Sequence, residues 1–231
     1  MSTNLIRFHM ITNFPKDYPM YKKIYANILY FITGIVINPR KNALNYRDMI
    51  RARVKLRKGD IALWGNLREV SSLFIKGPLT HATLYVGKRE FIEAVGDGVR
   101  YSSLYHLFTK YDTLVIMRVP RFYKGRRKII KEAIQFALMQ VGKPYDFDFS
   151  KGSRKLFCTE LVNSAYQKAH YDTKLKNFGK FSGGGEEIIQ RIVNAERALR
   201  PTIFAEKGNF KIVLLSHNLE MREKKLVLKK D

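Results

Sequence analysis

Residues 79–95 decide the fold, and their sequence is LTHATLYVGKREFIEAV. β-Branched and aromatic residues dominate this stretch, and a short turn interrupts it near its middle. Two strands with so short a link predict an antiparallel hairpin, with strands over Thr80–Gly87 and Glu90–Val95. A hairpin of this kind is typical of an antiparallel sheet rather than a parallel one.

Strand and helix patterns continue on both sides of the hairpin. Three further strands are predicted over Ile61–Trp64, Thr113–Val119 and Phe210–Leu215. The hydrophobic period then lengthens from two to about 3.6 residues, which predicts helices over Arg126–Val141, Phe157–Lys168 and Glu186–Leu199. Gly183–Gly185 is predicted to be a loop. This order of elements predicts an α+β fold in which an antiparallel sheet packs against helices.

The chain divides into three parts. Residues 1–52 form an N-terminal extension, residues 53–216 the main domain, and residues 217–231 a charged tail that we expect to be exposed. The extension contains an apolar run over Ile24–Ile37. A membrane span needs about 20 apolar residues, so this run is predicted to form a helix that packs on the domain or lies in a membrane interface.

The chain is strongly basic, with 43 Lys and Arg residues against 20 Asp and Glu and a formal net charge of +23. Such a charge attracts polyanions, which here means an anionic membrane or an acidic wall polymer. No recognised nucleic-acid-binding motif accompanies it, so specific nucleic-acid recognition is not expected. Basic residues interrupt the first two dozen positions and no signal peptide is evident, which predicts a cytoplasmic protein with peripheral membrane contact.

Cys158 is the single cysteine, so no internal disulfide is expected. It lies at the predicted start of a helix, where the dipole and the unsatisfied N–H groups favour a thiolate and would stabilise an oxyanion. Most free cysteines, however, behave as small buried apolar side chains. The local sequence alone leaves both interpretations open.

His81 and Glu93 are the polar residues of the hairpin that need an explanation. His81 begins an otherwise apolar strand, and Glu93 lies twelve positions later among apolar neighbours. Across the strand pair, Glu93 would orient the His81 imidazole, as the third member of a catalytic triad does. The alternatives are a structural histidine and a carboxylate that points to solvent.

Four motifs in sequence order resemble the permuted NlpC/P60 proteins of the YiiX/YebB-like group, with lecithin–retinol acyltransferases and a poxvirus protein as more distant relatives. The motifs are residues 79–87, residues 92–99 (IEAVGDGV), residues 142–149 (GKPYDFDF) and residues 157–162 (FCTELV). Residues 59–63 (GDIAL) resemble the strand that opens that domain. The resemblance covers about residues 53–216, and the histidine hairpin precedes the cysteine, as in the permuted group.

The resemblance implies a circularly permuted papain-like (NlpC/P60) fold with Cys158 as nucleophile, His81 as general base and acid, and Glu93 as the residue that orients the imidazole. It also places Tyr145 near the oxyanion, although an aromatic plug beneath the helix is an equal alternative. The implied activity is hydrolysis or acyl transfer at an amide or ester bond through a thioester, on a lipid or cell-wall-derived substrate. Neither a cofactor nor a metal is expected. The alternative is a non-catalytic lipid- or polyanion-binding protein that retains the fold.

Overall fold

A computed structural model of the chain describes residues 10–33, 44–67, 77–147, 156–175 and 200–229. Its main sheet has six strands in the order β4-β3-β2-β1-β5-β6, and every neighbouring pair is antiparallel. The strands are β1 (Ile61–Gly65), β2 (His81–Gly87), β3 (Glu90–Val95), β4 (Gly98–Ser103), β5 (Thr113–Arg118) and β6 (Lys211–Leu215). The predicted α+β architecture with an antiparallel sheet is confirmed.

Six helices accompany the sheet within the described residues. They are α1 (Met20–Thr33), α2 (Tyr46–Lys55), α3 (Leu104–Lys110), α4 (Arg126–Leu138), α5 (Cys158–Lys168) and α6 (Pro201–Lys207). The helix predicted to end at Val141 ends at Leu138 instead, and Phe157 is the N-cap of α5 rather than its first residue. The predicted loop at residues 183–185 and helix at residues 186–199 lie outside the described residues.

Two apolar clusters bury the sheet. One joins β-strand residues such as Leu84 and Ile92 to the inward faces of α4 and α5. The other surrounds Trp64 with side chains from α2 and α3. Both clusters consist of fully or nearly fully buried side chains, so the sheet is held from both sides and presents the start of β2 as a fixed platform for α5.

A buried ion pair fastens the beginning of β1 to the end of β5. Arg118 donates from two guanidinium nitrogens to the two carboxylate oxygens of Asp60, each at 2.6 Å, and it also donates to the carbonyl of Lys55 at the end of α2. Asp60 is fully buried and accepts a further bond from the backbone N–H of Arg57. Burial raises the pKa of Asp60 above its ordinary value, while the Arg118 hydrogen bond opposes that rise.

Strand β4 and helix α3 were not predicted from the sequence. Strand β4 forms because Gly98 turns the chain directly back along β3. Gly98 has a φ of +105°, and a Cβ there would lie 2.4 Å from the carbonyl oxygen of Lys143. Only glycine fits this turn without strain.

Residues 217–229 of the predicted charged tail are mostly exposed, but they also contain a hairpin that was not predicted from the sequence. Leu219–Arg222 (β7) and Lys225–Leu228 (β8) form a second hairpin, in which Leu219 and Leu226 are buried in the main core. His217 bonds through its backbone N–H and its ring to the fully buried Asp48 of α2. The charged residues of this segment mask the apolar pattern of Leu219 and Leu226 in the sequence. These two leucines hold the segment against the domain.

Helix α1 begins four residues before the predicted apolar run, at Met20, and residues 34–37 of that run lie outside the described residues. Its Ala26 is fully buried against Ile11 and Phe147. The Asn27 side chain also bonds both the N–H and the carbonyl of Ile11. The helix therefore packs on the domain. Among the described helices, none has the length and hydrophobicity needed to cross a membrane.

Candidate active site

The structure brings His81 and Glu93 together across the β2–β3 pair. Thr83 lies opposite Glu93 in the register, which leaves His81 at the end of β2 within reach of the carboxylate. His81 Nε2 and Glu93 Oε2 are 2.9 Å apart, and both residues are buried. Because Nε2 is held by Glu93, Nδ1 is the ring nitrogen left for another partner.

Arg100 explains why a carboxylate is tolerated at this buried position. It lies directly opposite Glu93 on β4, and its Nε donates to Glu93 Oε1 at 3.1 Å. A second guanidinium nitrogen donates to Asp97 at 3.2 Å. Burial by itself would raise the pKa of Glu93, but the hydrogen bond and charge of His81 and the charge of Arg100 lower it to about 2. Glu93 is therefore ionised at neutral pH.

Cys158 is the first residue of α5, and it is buried and free of a disulfide. The helix packs on β2 and β3, which brings the thiol against the His81 ring. Burial disfavours the imidazolium, but the side-chain interactions with Cys158 and with Glu93 outweigh burial and raise the pKa of His81 to about 9. An imidazole lying between a sulfur and a carboxylate is therefore protonated at neutral pH.

Tyr145 lies beside the segment that leads into Cys158. It forms a bridge with Leu156, and the backbone N–H of Asp146 donates to the Leu156 carbonyl. Burial and the negative charge of Cys158 raise the pKa of Tyr145 well above its ordinary value. The phenol is therefore a protonated hydrogen-bond donor at working pH. Its ring also packs edge-on against Phe147. Whether Tyr145 acts at the oxyanion or only in packing stays a prediction.

Two neighbours of the site were missed from the sequence. The Tyr111 ring stacks on the His81 imidazole, with ring centroids 5.5 Å apart and planes 9° apart. Arg100 is the other. Arg100 is positively charged and follows the Gly96–Gly98 turn. These two features were the available indication that it would face Glu93. Tyr111 precedes β5 without any local pattern that points to His81.

A groove of about 540 Å³ opens elsewhere on the surface, between α2 and the β2–β3 turn. Its lining combines apolar side chains with the cations Arg53, Lys88 and Arg89. None of the four predicted site residues contributes to it. The groove is therefore separate from the cluster around Cys158.

One solved structure similar to this chain is that of the metalloprotein YiiX from Escherichia coli O157:H7. The two share 21% sequence identity with a TM-score of 0.54, and the match covers 69% of this chain and 97% of the other. At this identity the likeness shows the fold alone. No curated protein matches the sequence significantly.

Because YiiX is described as a metalloprotein, the described residues were searched for a set of side chains that could hold a metal ion. Among the residues that the structure describes, no group of three or more His, Cys, Asp or Glu side chains is arranged to hold a metal ion. Near Cys158, the acceptor atoms of Glu93 are already bonded to His81 and Arg100. The described side chains do not fit a metal centre, and the sequence-based expectation of no metal stays a prediction.

Residues 55–214 match the model of one protein family, described as permuted papain-like amidase enzymes, YaeF/YiiX, C92 family. The match spans more than half of the chain and includes β1, the His81 hairpin and the Cys158 helix. The sequence-based resemblance to permuted papain-like proteins is thereby confirmed, and the family's amidase designation supports a cysteine hydrolase type of activity. This chain belongs to the permuted papain-like amidase family.

Proposed function

We propose that this protein hydrolyses an amide or ester bond through a thioester on Cys158, with His81 as acid and base and Glu93 as the residue that orients the imidazole. The observation that carries the proposal is the chain of contacts from the Cys158 thiol to His81 and on to a buried Glu93 carboxylate. A non-catalytic lipid- or polyanion-binding protein would have no need for this arrangement.

In the first step the thiolate of Cys158 attacks the carbonyl carbon and forms a tetrahedral oxyanion. Backbone N–H groups at the start of α5, where Cys158 is the first helical residue, would stabilise this charge. His81, protonated as an imidazolium, gives its proton to the leaving amine or alcohol. The bond to the leaving group breaks, and the acyl group remains on sulfur as a thioester.

In the second step the now neutral His81 accepts a proton from water as the water attacks the thioester. The carbon–sulfur bond breaks, the carboxylic acid departs, and the thiolate–imidazolium pair is restored. Glu93 stays ionised throughout, which keeps the ring in one orientation and stabilises the imidazolium. A second acyl acceptor in place of water would convert the same cycle into acyl transfer.

The direct test is to trap the acyl-enzyme. The protein is mixed with an activated ester such as p-nitrophenyl acetate and quenched in acid, and its intact mass and peptide map are measured. We expect one added acyl group, located on Cys158 and removed by hydroxylamine. Acylation of lysines alone, with Cys158 unmodified, would contradict the thioester mechanism.

Replacing Glu93 by glutamine is expected to shift the pH dependence of catalysis. The carboxylate favours the imidazolium, so its loss lowers the pKa of His81 from about 9 by about one unit or more. Since the acid form of His81 is needed to protonate the leaving group, the alkaline limb of kcat/KM should move to lower pH by the same amount. The measurement is a pH–rate profile for an amide or ester substrate.

Glu90→Gln is the matched control for this experiment, because Glu90 lies on the same strand but is exposed. Its alkaline limb should coincide with that of the wild type. An unchanged limb in Glu93→Gln, with the fold intact by circular dichroism, would remove Glu93 from the proposed mechanism.

Replacing Tyr145 by phenylalanine tests the hydroxyl separately from the ring. The ring contact with Phe147 is preserved, so stability should change little. A phenol that donates to the oxyanion strengthens its bond in the transition state, and its removal should lower kcat by about tenfold or more with little change in KM. Equal kcat values for the two proteins would assign Tyr145 to packing alone.

A further inference from the structure

Helix α1 carries an exposed apolar stripe along its outer side. Met20, Ile24, Ile28 and Ile32 are spaced four residues apart, and their side chains are 70%, 56%, 52% and 44% exposed. A spacing of four places successive side chains on one side of a helix. Exposed isoleucines repeated in this way are unusual on a protein that meets only water.

The inner side of the same helix is firmly attached. Ala26 is fully buried, and Asn27 bonds the backbone of Ile11 in two places. The Tyr30 ring lies so close to Gly96, in the β3–β4 turn, that a Cβ there would be 2.7 Å from the ring. The stripe is therefore the outer side of a docked helix.

The attachment point of α1 lies next to the candidate active site. The apolar cluster of Ile11, Ala26 and Phe147 also includes Tyr145 at its margin. Tyr145 in turn is close enough to Cys158 for the charge of the sulfur to raise the pKa of the phenol. Two side-chain layers thus connect the exposed helix to the proposed nucleophile.

The charge and the length of α1 indicate which class of partner its exposed stripe binds. The sequence of α1, MYKKIYANILYFIT, contains two lysines and no acidic residue, and the whole chain carries a formal charge of +23. At 14 residues the helix is about 21 Å long, too short to cross the apolar core of a bilayer. A short apolar stripe with two lysines in the first turn of the helix and no acidic residue is typical of a helix that lies in the plane of an anionic membrane surface.

We propose that α1 inserts its Met20–Ile32 stripe into an anionic lipid surface and thereby holds the Cys158 site at that surface. This inference rests on the proposed function for its meaning, since it directs the thiol to amide or ester bonds of membrane lipids. The binding itself does not require the enzyme to be active. Membrane binding by α1 and hydrolysis at Cys158 can therefore be refuted by different experiments.

The first experiment measures binding of the full chain to vesicles by flotation. The wild type should bind phosphatidylcholine vesicles that contain phosphatidylserine and should bind pure phosphatidylcholine much less. Ile24→Gln/Ile28→Gln should lower the partition coefficient on the anionic vesicles by about tenfold or more, because two isoleucines no longer enter the lipid. Equal binding by this variant and the wild type would overturn the proposal.

Two matched variants test whether vesicle binding depends on the α1 stripe or on any exposed apolar side chain or any cation of the protein. Phe122→Gln/Met139→Gln removes apolar side chains that are 89% and 70% exposed outside α1. Lys88→Asn/Arg89→Gly removes two cations at a turn in which both residues have positive φ, where Asn-Gly is favoured. Both should bind within about twofold of the wild type, because neither pair of side chains belongs to the α1 stripe. A loss in either as large as that of the α1 variant would contradict a role specific to α1.

The second experiment reports the depth of insertion. Because Cys158 is the single cysteine, Ile28→Cys/Cys158→Ser offers one thiol for an environment-sensitive fluorophore, and Phe122→Cys/Cys158→Ser provides its control. Anionic vesicles should shift the emission of the label at position 28 to shorter wavelength and leave that at position 122 unchanged. A shift at position 28 that appears on concentrating the protein without lipid would show that a second copy covers the stripe, and would overturn the proposal.

Activity on a soluble ester distinguishes this inference from the proposed function. Ile24→Gln/Ile28→Gln should hydrolyse p-nitrophenyl acetate at the wild-type rate while losing vesicle binding. Cys158→Ser should bind vesicles normally and lose the hydrolysis. Vesicle binding by a wild type that never forms an acyl-enzyme would reject the proposed function alone.

Discussion

Cys158→Ser is expected to lower kcat/KM by about a thousandfold or more while the protein stays folded. Serine has a side chain of similar size at the start of α5, but a hydroxyl is a much weaker nucleophile than a cysteine sulfur. His81 would then stand beside a weak nucleophile. The measurement is kcat/KM on a soluble ester or amide at neutral pH, together with the thermal midpoint of each protein.

The stability measurement is needed because Cys158 is also part of the main core. Serine at a buried site costs about 1–3 kcal/mol if its hydroxyl finds no partner, an effect that would appear in the midpoint and not as a complete loss of rate. Ser102→Ala, at another buried position, is a control for small changes in the interior. Ester hydrolysis by Cys158→Ser at the wild-type rate would refute Cys158 as the nucleophile.

Arg118→Met is expected to lower the free energy of unfolding by about 3–5 kcal/mol. Methionine preserves much of the apolar stem but leaves the Asp60 carboxylate buried without its guanidinium, and it releases the Lys55 carbonyl at the end of α2. The loss should shrink as the pH falls toward the raised pKa of Asp60, since protonation removes the uncompensated charge. Urea unfolding at neutral and acidic pH measures both effects.

Two further variants test the cause of the stability loss in Arg118→Met. Lys128→Met breaks a pair with Glu132 in which the lysine side chain is 81% exposed, and it should change stability by less than about 1 kcal/mol. Asp60→Asn/Arg118→Met removes both buried charges and should recover part of the loss. A double variant that is no more stable than Arg118→Met would show that packing, and not the unpaired carboxylate, causes the effect.

The Asp60–Arg118 pair also supports the candidate active site, although it lies at a different part of the sheet. It joins the end of α2, the start of β1 and the end of β5. Strand β1 in turn pairs with β2, with Trp64 opposite His81. Loosening this junction would disturb the platform that presents His81 to Cys158, so we expect activity in Arg118→Met to fall at temperatures below its unfolding midpoint.

Patterns within single segments were sufficient for much of the architecture. The β-branched and aromatic content of residues 79–95, with the short turn between the two runs, predicted the β2–β3 hairpin. The 3.6-residue period predicted α4 and α5, because it records which face of a helix is buried. The same hairpin predicted that His81 and Glu93, twelve residues apart, lie on neighbouring strands. Their contact could be anticipated because residues on paired strands near a short turn are neighbours in space.

Contacts between distant segments needed the tertiary structure. Arg100 neutralises Glu93 only because β4 returns along β3, and Tyr111 meets His81 only because β5 pairs with β1. The C-terminal hairpin was missed since its lysines conceal Leu219 and Leu226. In each case the partner lies on another segment, and a local pattern carries no information about which distant surface an element will meet.

The sequence by itself determined the order of the motifs, the family and the identity of the candidate residues, since each depends on residue type and position along the chain. The tertiary structure decided their relations: a His81 ring held between a thiol and an ionised carboxylate, and an apolar helix docked beside Tyr145 with its stripe turned outward. Burial and charge act on pKa values and on surfaces through distances in space. Those distances exist only once the strands have paired and the helices have packed.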